Sequence, residues 1–207
     1  MVHYKLTYFD ARGLGEAARQ LFVLAGVPFE DNRLSIEQFK VLKPTLPAGH
    51  VPVLLVDGFE ISQSQTINRY LARKFGLAGK TPEEEATADT VVDLFKDFLP
   101  SFKEMSSGIF FGKTPEELVK IKKEITGPAM EIYFGDLKKI LNKNKSGYFV
   151  GNGLTWADIV VAENMYTLFI HGLFDLDKEK ELAEFYKRVR NTPKLKEYLE
   201  KRPYSVV

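Results

Sequence analysis

The chain has 207 residues, enough for one large domain or two small ones that share an interface. Lys plus Arg (29) almost balances Asp plus Glu (28), and no basic run stands out, so nothing points to a nucleic-acid partner. There is no cysteine, which excludes disulfides, Cys-ligated metals and redox chemistry by a protein thiol, and the three histidines, His3, His50 and His171, lie far apart.

Residues 3–9 (HYKLTYF) alternate and are rich in aromatic and β-branched types, which predicts a strand. Gly13 and Gly15 open a helical pattern, Ala17, Leu21, Leu24 and Ala25, that Gly26 and Pro28 end. A short strand is expected near 29–34, then a helical or irregular loop. The run 52–56 (PVLLV) is an apolar strand, Asp57-Gly58 is a strong hairpin signal, and Phe59–Ile61 completes the hairpin. Ser64 is expected to cap a helix over 65–75 that packs through Ile67, Tyr70, Leu71 and Phe75.

Residues 76–82 (GLAGKTP) read as a linker, and strand signals stop there. Thr81-Pro-Glu-Glu84 and Thr114-Pro-Glu-Glu117 are two capping devices, which predict long helices over 82–107 and 115–142. Ser106–Gly112 (SSGIFFG) reads as a loop after the first of these. Thr155-Trp-Ala-Asp158 is a third cap, with Leu154 and Ile159 placed as a hydrophobic staple. Shorter helices are expected over 178–190 and 193–200. No stretch approaches the about 20 apolar residues of a membrane span. The opening MVHYKLTYF lacks a signal-peptide core, so a cytoplasmic location is expected.

Three features carry possible chemistry. Tyr8 sits where a strand meets a Gly-containing turn and a helix, beside free N–H groups. Such a tyrosine is either an ordinary core or surface residue or a hydrogen-bond donor to an anion. His50-Val51-Pro52 precedes a strand. A trans proline is ordinary there, whereas a cis bond turns the backbone of Val51 outward to pair with an extended peptide. Gln63-Ser64 at a helix start is either a plain cap or a carboxylate site.

In combination, Tyr8, Val51-Pro52, Gln63-Ser64 and Thr155-Trp-Ala-Asp158 resemble the cytosolic glutathione transferases. The stretch Tyr4 to Gly13 is similar to the sigma class and its nematode relatives. The resemblance spans the whole chain. It implies an α/β thioredoxin-like glutathione-binding domain over 1–77, then an all-α domain over 83–207 that forms the electrophile site, assembled as a homodimer. It also implies that glutathione is the cosubstrate, with no cofactor and no metal, and that Tyr8 stabilises its thiolate. Val51, after Pro52 has turned it outward, would pair with the cysteinyl part. Gln63 and Ser64 would hold the γ-glutamyl carboxylate, and Asp97 would reach its amine across the dimer. Lys43 would face the glycyl carboxylate. Phe39 stands where Trp is frequent, His50 where Lys is common, and Lys96 interrupts an acidic cluster that binds cations in some members. The hydrophobic electrophile is expected against Phe9, Leu14, Leu99, Phe102, Met105, Val160 and Tyr204. Leu14 and Glu104 depart from the Arg and Trp of the prostaglandin-isomerising branch, which argues against that activity. Besides detoxifying conjugation, the resemblance allows a haem or apolar-ligand carrier, or a structural protein of the lens-crystallin kind. Retention of Tyr8, Gln63, Ser64 and Asp97 argues against the last.

Overall fold

The computed structural model describes residues 2–110 and 112–205. Strand β1 (Tyr4–Phe9) leads through a short turn into α1 (Glu16–Ala25). Strand β2 (Glu30–Leu34) follows, then α2 (Ile36–Leu42), β3 (Val53–Val56), β4 (Phe59–Ser62) and α3 (Ser64–Phe75). The sheet order is β2-β1-β3-β4, with β1 parallel to β2 and antiparallel to β3. This is the thioredoxin-like arrangement. The hairpin between β3 and β4 turns on Asp57 and Gly58, both at positive φ, 46° and 91°, the geometry that matches the twist of the flanking strands. Tyr4, Leu6 and Tyr8 share one face of β1 by the two-residue period. That face meets α1, where Tyr4 packs edge-on against Phe22 at 5.2 Å.

The rest of the described chain is helical: α4 (Pro82–Phe110), α5 (Pro115–Ile121), α6 (Gly127–Asn144), α7 (Trp156–Ile170), α8 (Lys180–Arg190) and α9 (Pro193–Lys201). None is long and apolar enough to cross a membrane. Two expectations are corrected. The segment expected as a loop from Ser106 is helical as far as Phe110, and Phe111 lies outside the described residues. The single helix expected over 115–142 is broken by a π-helical turn, Lys122–Thr126. Pro128, just beyond, lacks an N–H and its ring crowds the preceding turn, so the regular ladder fails upstream of it.

The capping devices form. Thr114 Oγ1 accepts from Glu117 N–H at 3.3 Å and Glu117 accepts from Thr114 N–H at 2.8 Å. At Thr81 the reciprocal bond shifts by one residue, because Glu84 accepts from Lys80 N–H at 2.6 Å. At the third cap Asp158 is buried and accepts from Phe149 N–H at 2.9 Å, Thr155 N–H at 2.7 Å and the Thr155 hydroxyl at 2.8 Å. The start of α7 also reaches the linker, since Trp156 N–H donates to the Leu77 carbonyl at 2.9 Å.

The seam between sheet domain and helical domain is ionic and buried. Arg12 donates to Glu163 at 2.5 Å, and Arg202 bridges Glu16 at 2.7 Å and Glu163 at 2.9 Å. Gln20 donates to Glu163 at 2.8 Å. Arg19 donates to Asp31 at 3.0 Å and to the Ala11 carbonyl at 2.6 Å. The guanidinium carbons of Arg190, Arg12 and Arg202 lie 4.3, 4.7 and 5.0 Å from the ring centre of Tyr166. Arg12 and Arg202 each keep one Nη2 without a hydrogen-bond partner, and the π face compensates for it. Four guanidiniums (Arg12, Arg19, Arg190, Arg202) meet three carboxylates (Glu16, Asp31, Glu163), a surplus of 4 − 3 = +1.

Two stability predictions follow from these contacts. Glu163→Gln leaves buried guanidiniums under-compensated and lowers the urea-unfolding free energy by about 3 kcal/mol. Burial raises the Asp158 pKa from 3.8 to about 6, against the three bonds that lower it. The folded state therefore holds an extra proton inside that window, and the residue's contribution to stability falls as pH rises through it. Asp158→Asn costs about 2 kcal/mol at neutral pH, and its deficit grows by about 1 kcal/mol on acidification to about pH 5, because only wild type gains the proton.

Candidate functional site

Strand register gathers the site. Thr7 pairs with Val53, and Val53 with Ser62. One step further along each strand, Tyr8, Pro52 and Gln63 fall in a row across the end of the sheet. Arg33 extends that row, because it pairs with Tyr8.

Tyr8 is 8% exposed, and its hydroxyl accepts from Leu14 N–H at 3.0 Å. Its own proton has no acceptor among the described residues. Burial raises its pKa above the ordinary 10, while the Leu14 N–H and Arg19 pull it back in part. The group is therefore a neutral donor at physiological pH. Gly15 makes the position possible: a Cβ there would stand 2.7 Å from the Tyr8 ring.

The Val51–Pro52 bond is cis. The N–H and C=O of Val51 have no partner among the described residues. Gln63 takes the cap position of α3 at φ 72°, and no side chain caps that helix. Ser64 is thus the first helical residue, and the expectation that it caps is corrected, because the strained Gln63 occupies that position instead. A non-glycine residue at such a φ costs about 1–3 kcal/mol. The free N–H groups of the first turn open toward the same edge of the sheet.

Phe9 packs edge-on against Tyr8 at 5.5 Å and against Phe39 at 5.0 Å, and Lys43 Nζ stands 6.0 Å from the Phe39 ring centre. Lys43 and His50 are exposed, and His50 Nδ1 contacts the Ala48 carbonyl. Asp97 is not beside Tyr8. It is exposed on α4, at a concave patch of about 150 Å³ with Leu94, Phe98, Ala129 and Ile132.

A cavity of about 180 Å³ opens between the domains beside Tyr8. Leu14, Leu99 and Phe102 line it, together with Phe95, Leu168 and the polar Asn164 and Thr167. Four other expected residues lie elsewhere. Phe9 packs against Tyr8 and Phe39 and does not line the cavity. Met105 is buried in the helical core. Val160 borders a crevice of about 20 Å³ that also touches Leu14 and Ser64. Tyr204 is 76% exposed beside Arg33 and Arg202. A larger groove of about 300 Å³, among Glu84, Thr87, Lys143 and Phe149, shares no residue with the Tyr8 cavity. No group of three or more His, Cys, Asp or Glu able to hold a metal occurs among the described residues.

Sequence reasoning missed the buried seam and Asn164. Its one signal is Glu163-Asn164, a polar pair inside the otherwise apolar run of α7.

The chain matches the family model described as "Glutathione S-transferase, N-terminal domain" over residues 4–73, and the one described as "Glutathione S-transferase, C-terminal domain" over 84–202. It is 55% identical to glutathione S-transferase 3 of Caenorhabditis elegans over 98% of each chain. It superposes with TM-score 0.91 on a Nu-class enzyme from Haemonchus contortus, 45% identical and covering 100% of both. A monomeric transferase from the hookworm Necator americanus gives TM-score 0.92 at 41% identity, covering 99% of this chain and 100% of that one. With the sheet, the helical domain and the whole chain length in common, this chain belongs to the glutathione S-transferases of the nematode, sigma-like type, and is an enzyme of that class.

Proposed function

We propose that Tyr8 donates its hydroxyl proton to the sulfur of bound glutathione and holds it as the thiolate that attacks a hydrophobic electrophile. The supporting observation is the geometry of Tyr8: buried, neutral, polarised by the Leu14 N–H, and with its proton unclaimed beside the cavity. An ordinary thiol has a pKa of about 8.5, so a fall of about two units makes thiolate the majority at neutral pH and requires about 2.7 kcal/mol. One or two hydrogen bonds to the charged sulfur are of that size.

In this reading residues 1–77 hold the tripeptide and 83–207 supply the electrophile pocket. Val51 pairs with the cysteinyl unit, the α3 N-terminus at Gln63 and Ser64 takes the γ-glutamyl carboxylate, and Lys43 and His50 beside Phe39 face the glycyl end. The protein acts as a cytoplasmic detoxification enzyme and works as a homodimer in which Asp97 serves the partner's site. Ile132 at the Asp97 patch is 68% exposed and Phe59 on the hairpin is 69% exposed, apolar surface that a second copy would cover. Conjugation is favoured over haem carriage, because neither His nor Met lines the Tyr8 cavity.

Tyr8→Phe is expected to lower kcat/KM toward a chlorodinitrobenzene by about 100-fold and to raise the pKa of the bound thiol by about two units, read from thiolate absorbance against pH. An unshifted titration, or tight haem binding with negligible turnover in wild type, overturns the assignment. Asp97→Ala is expected to raise KM for glutathione about fivefold, the size of one lost hydrogen bond. Sedimentation of wild type as a monomer sinks the shared-site reading.

A further inference from the structure

Of the asparagines in the chain, only Asn152 precedes a glycine. Others are tied down: Asn32 donates to Thr7 Oγ1 at 3.1 Å, and Asn144 donates to the carbonyls of Tyr148 and Gly151 at 2.9 and 2.8 Å. Asn152 is exposed in the segment between α6 and α7, and its side chain makes no hydrogen bond among the described residues. Gly151 opens the turn at φ 57°, a conformation that suits glycine. Gly153 faces open space, since a Cβ built on it meets nothing within 4 Å.

A bond from the Gly153 nitrogen to the Asn152 amide carbon closes a five-membered ring, and glycine has no side chain to obstruct the approach. Asp57-Gly58 has the same spacing and a different chemistry. Its carboxylate is a poor target for a nucleophile, and Asp57 Oδ1 already accepts from His3 N–H at 2.8 Å.

We propose that Asn152 is a site of spontaneous deamidation whose isoaspartyl product loosens the start of α7. The Gly153 nitrogen attacks the Asn152 amide carbon and gives up its proton. The bond from that carbon to the amide nitrogen breaks, and the amide group takes the proton and leaves as ammonia. Water then opens the cyclic imide. Attack at the former side-chain carbon gives aspartate. Attack at the Asn152 backbone carbonyl carbon gives isoaspartate, in which the chain runs through Cβ and the carboxylate stands on Cα. One water enters, one ammonia leaves, and nothing is oxidised or reduced. The reaction needs no enzyme and does not depend on the chemistry at Tyr8.

The turn is fixed on both sides of the change. Asn144 holds the Gly151 carbonyl, and the buried Asp158 holds Thr155 N–H at 2.7 Å and Phe149 N–H at 2.9 Å. An extra backbone carbon between Gly151 and Thr155 pulls against these bonds, and a weakened cap destabilises the helix it starts. The new carboxylate also arrives one residue from Gly151, where a Cβ would stand 3.1 Å from Glu84 Oε1, and like charges repel. Helix α7 carries Trp156, which donates to the Leu77 carbonyl of the linker, and Glu163, the hub of the ionic seam. The loosening therefore reaches the junction between the domains.

The test ages the whole protein at physiological temperature and pH, beside a synthetic peptide of residues 150–156. Peptide mapping reads a mass gain of about one dalton at Asn152, and an isoaspartyl carboxyl methyltransferase with labelled S-adenosylmethionine counts the isoaspartyl product. Conversion in the protein is expected within about tenfold of the peptide's rate, because opening an exposed turn costs little. Gly153→Ala, whose methyl group fits the open space, slows it at least about tenfold. Aged wild type is expected to melt about 2–4 °C below fresh protein, while Asn152→Ser, aged in parallel, keeps its Tm. An unconverted Asn152 in the protein after the peptide has converted overturns the site. Equal loss of Tm in wild type and Asn152→Ser overturns the effect on α7.

Discussion

The constraint on which the site depends is the pairing of Thr7 with Val53 and of Val53 with Ser62. It sets Tyr8, Pro52 and Gln63 in one row, although 54 residues or more separate the first from the last in sequence. A slip by one residue would send every side chain of β1 to the opposite face. Tyr8 would leave the face that meets α1 and lose the Leu14 N–H. The site is thus an end of the core: Tyr4 and Leu6 bury into the domain, and Tyr8, next on the same face, meets the cavity instead. The same alternation that builds the hydrophobic interior delivers the Tyr8 hydroxyl to the cavity.

The ionic seam acts on that hydroxyl from beneath. Arg12, Glu16, Arg19 and Gln20 lie on or just before α1, while Glu163 and Thr167 lie on α7. Their bonds fix the turn that carries Leu14 against the helix that carries Asn164, so opposite walls of the cavity share one rigid junction. Burying so many charges is a poor source of net stability, since desolvation offsets much of the attraction. What the junction supplies is position and field. Of its arginines, Arg19 acts on Tyr8 directly, pulling its pKa down against the larger effect of burial.

Local rules made the elements legible. Asp57-Gly58 announces the hairpin, and the Thr-started motifs at 81, 114 and 155 announce three helices. Interruptions were harder to read. Pro128 breaks the second long helix, but a sequence pattern that continues on both sides conceals the π turn. Ser64 looked like a cap because it precedes a helical run; the actual cap is a glutamine in a conformation that propensity disfavours. The seam stayed invisible for a different reason. Nothing in the local sequence marks Arg12, Glu16 or Arg202 as buried, and their burial arises from partners up to 186 residues away.

In the proposed complex, Tyr8 and the glutathione sulfur bias one another. A thiolate beside a phenol disfavours the phenolate, so the charge that Tyr8 is proposed to stabilise would also hold Tyr8 in its donating form. Burial acts in the same direction. The Leu14 N–H and Arg19 oppose it, and they make the remaining proton a stronger donor without removing it. A residue with a lower pKa, such as histidine, would be drawn into exchanging protons with the thiol near neutrality. Tyrosine avoids that exchange. On the proposed mechanism, a protein with no cysteine of its own leaves the nucleophile to its cosubstrate and contributes a fixed hydrogen bond and a pocket.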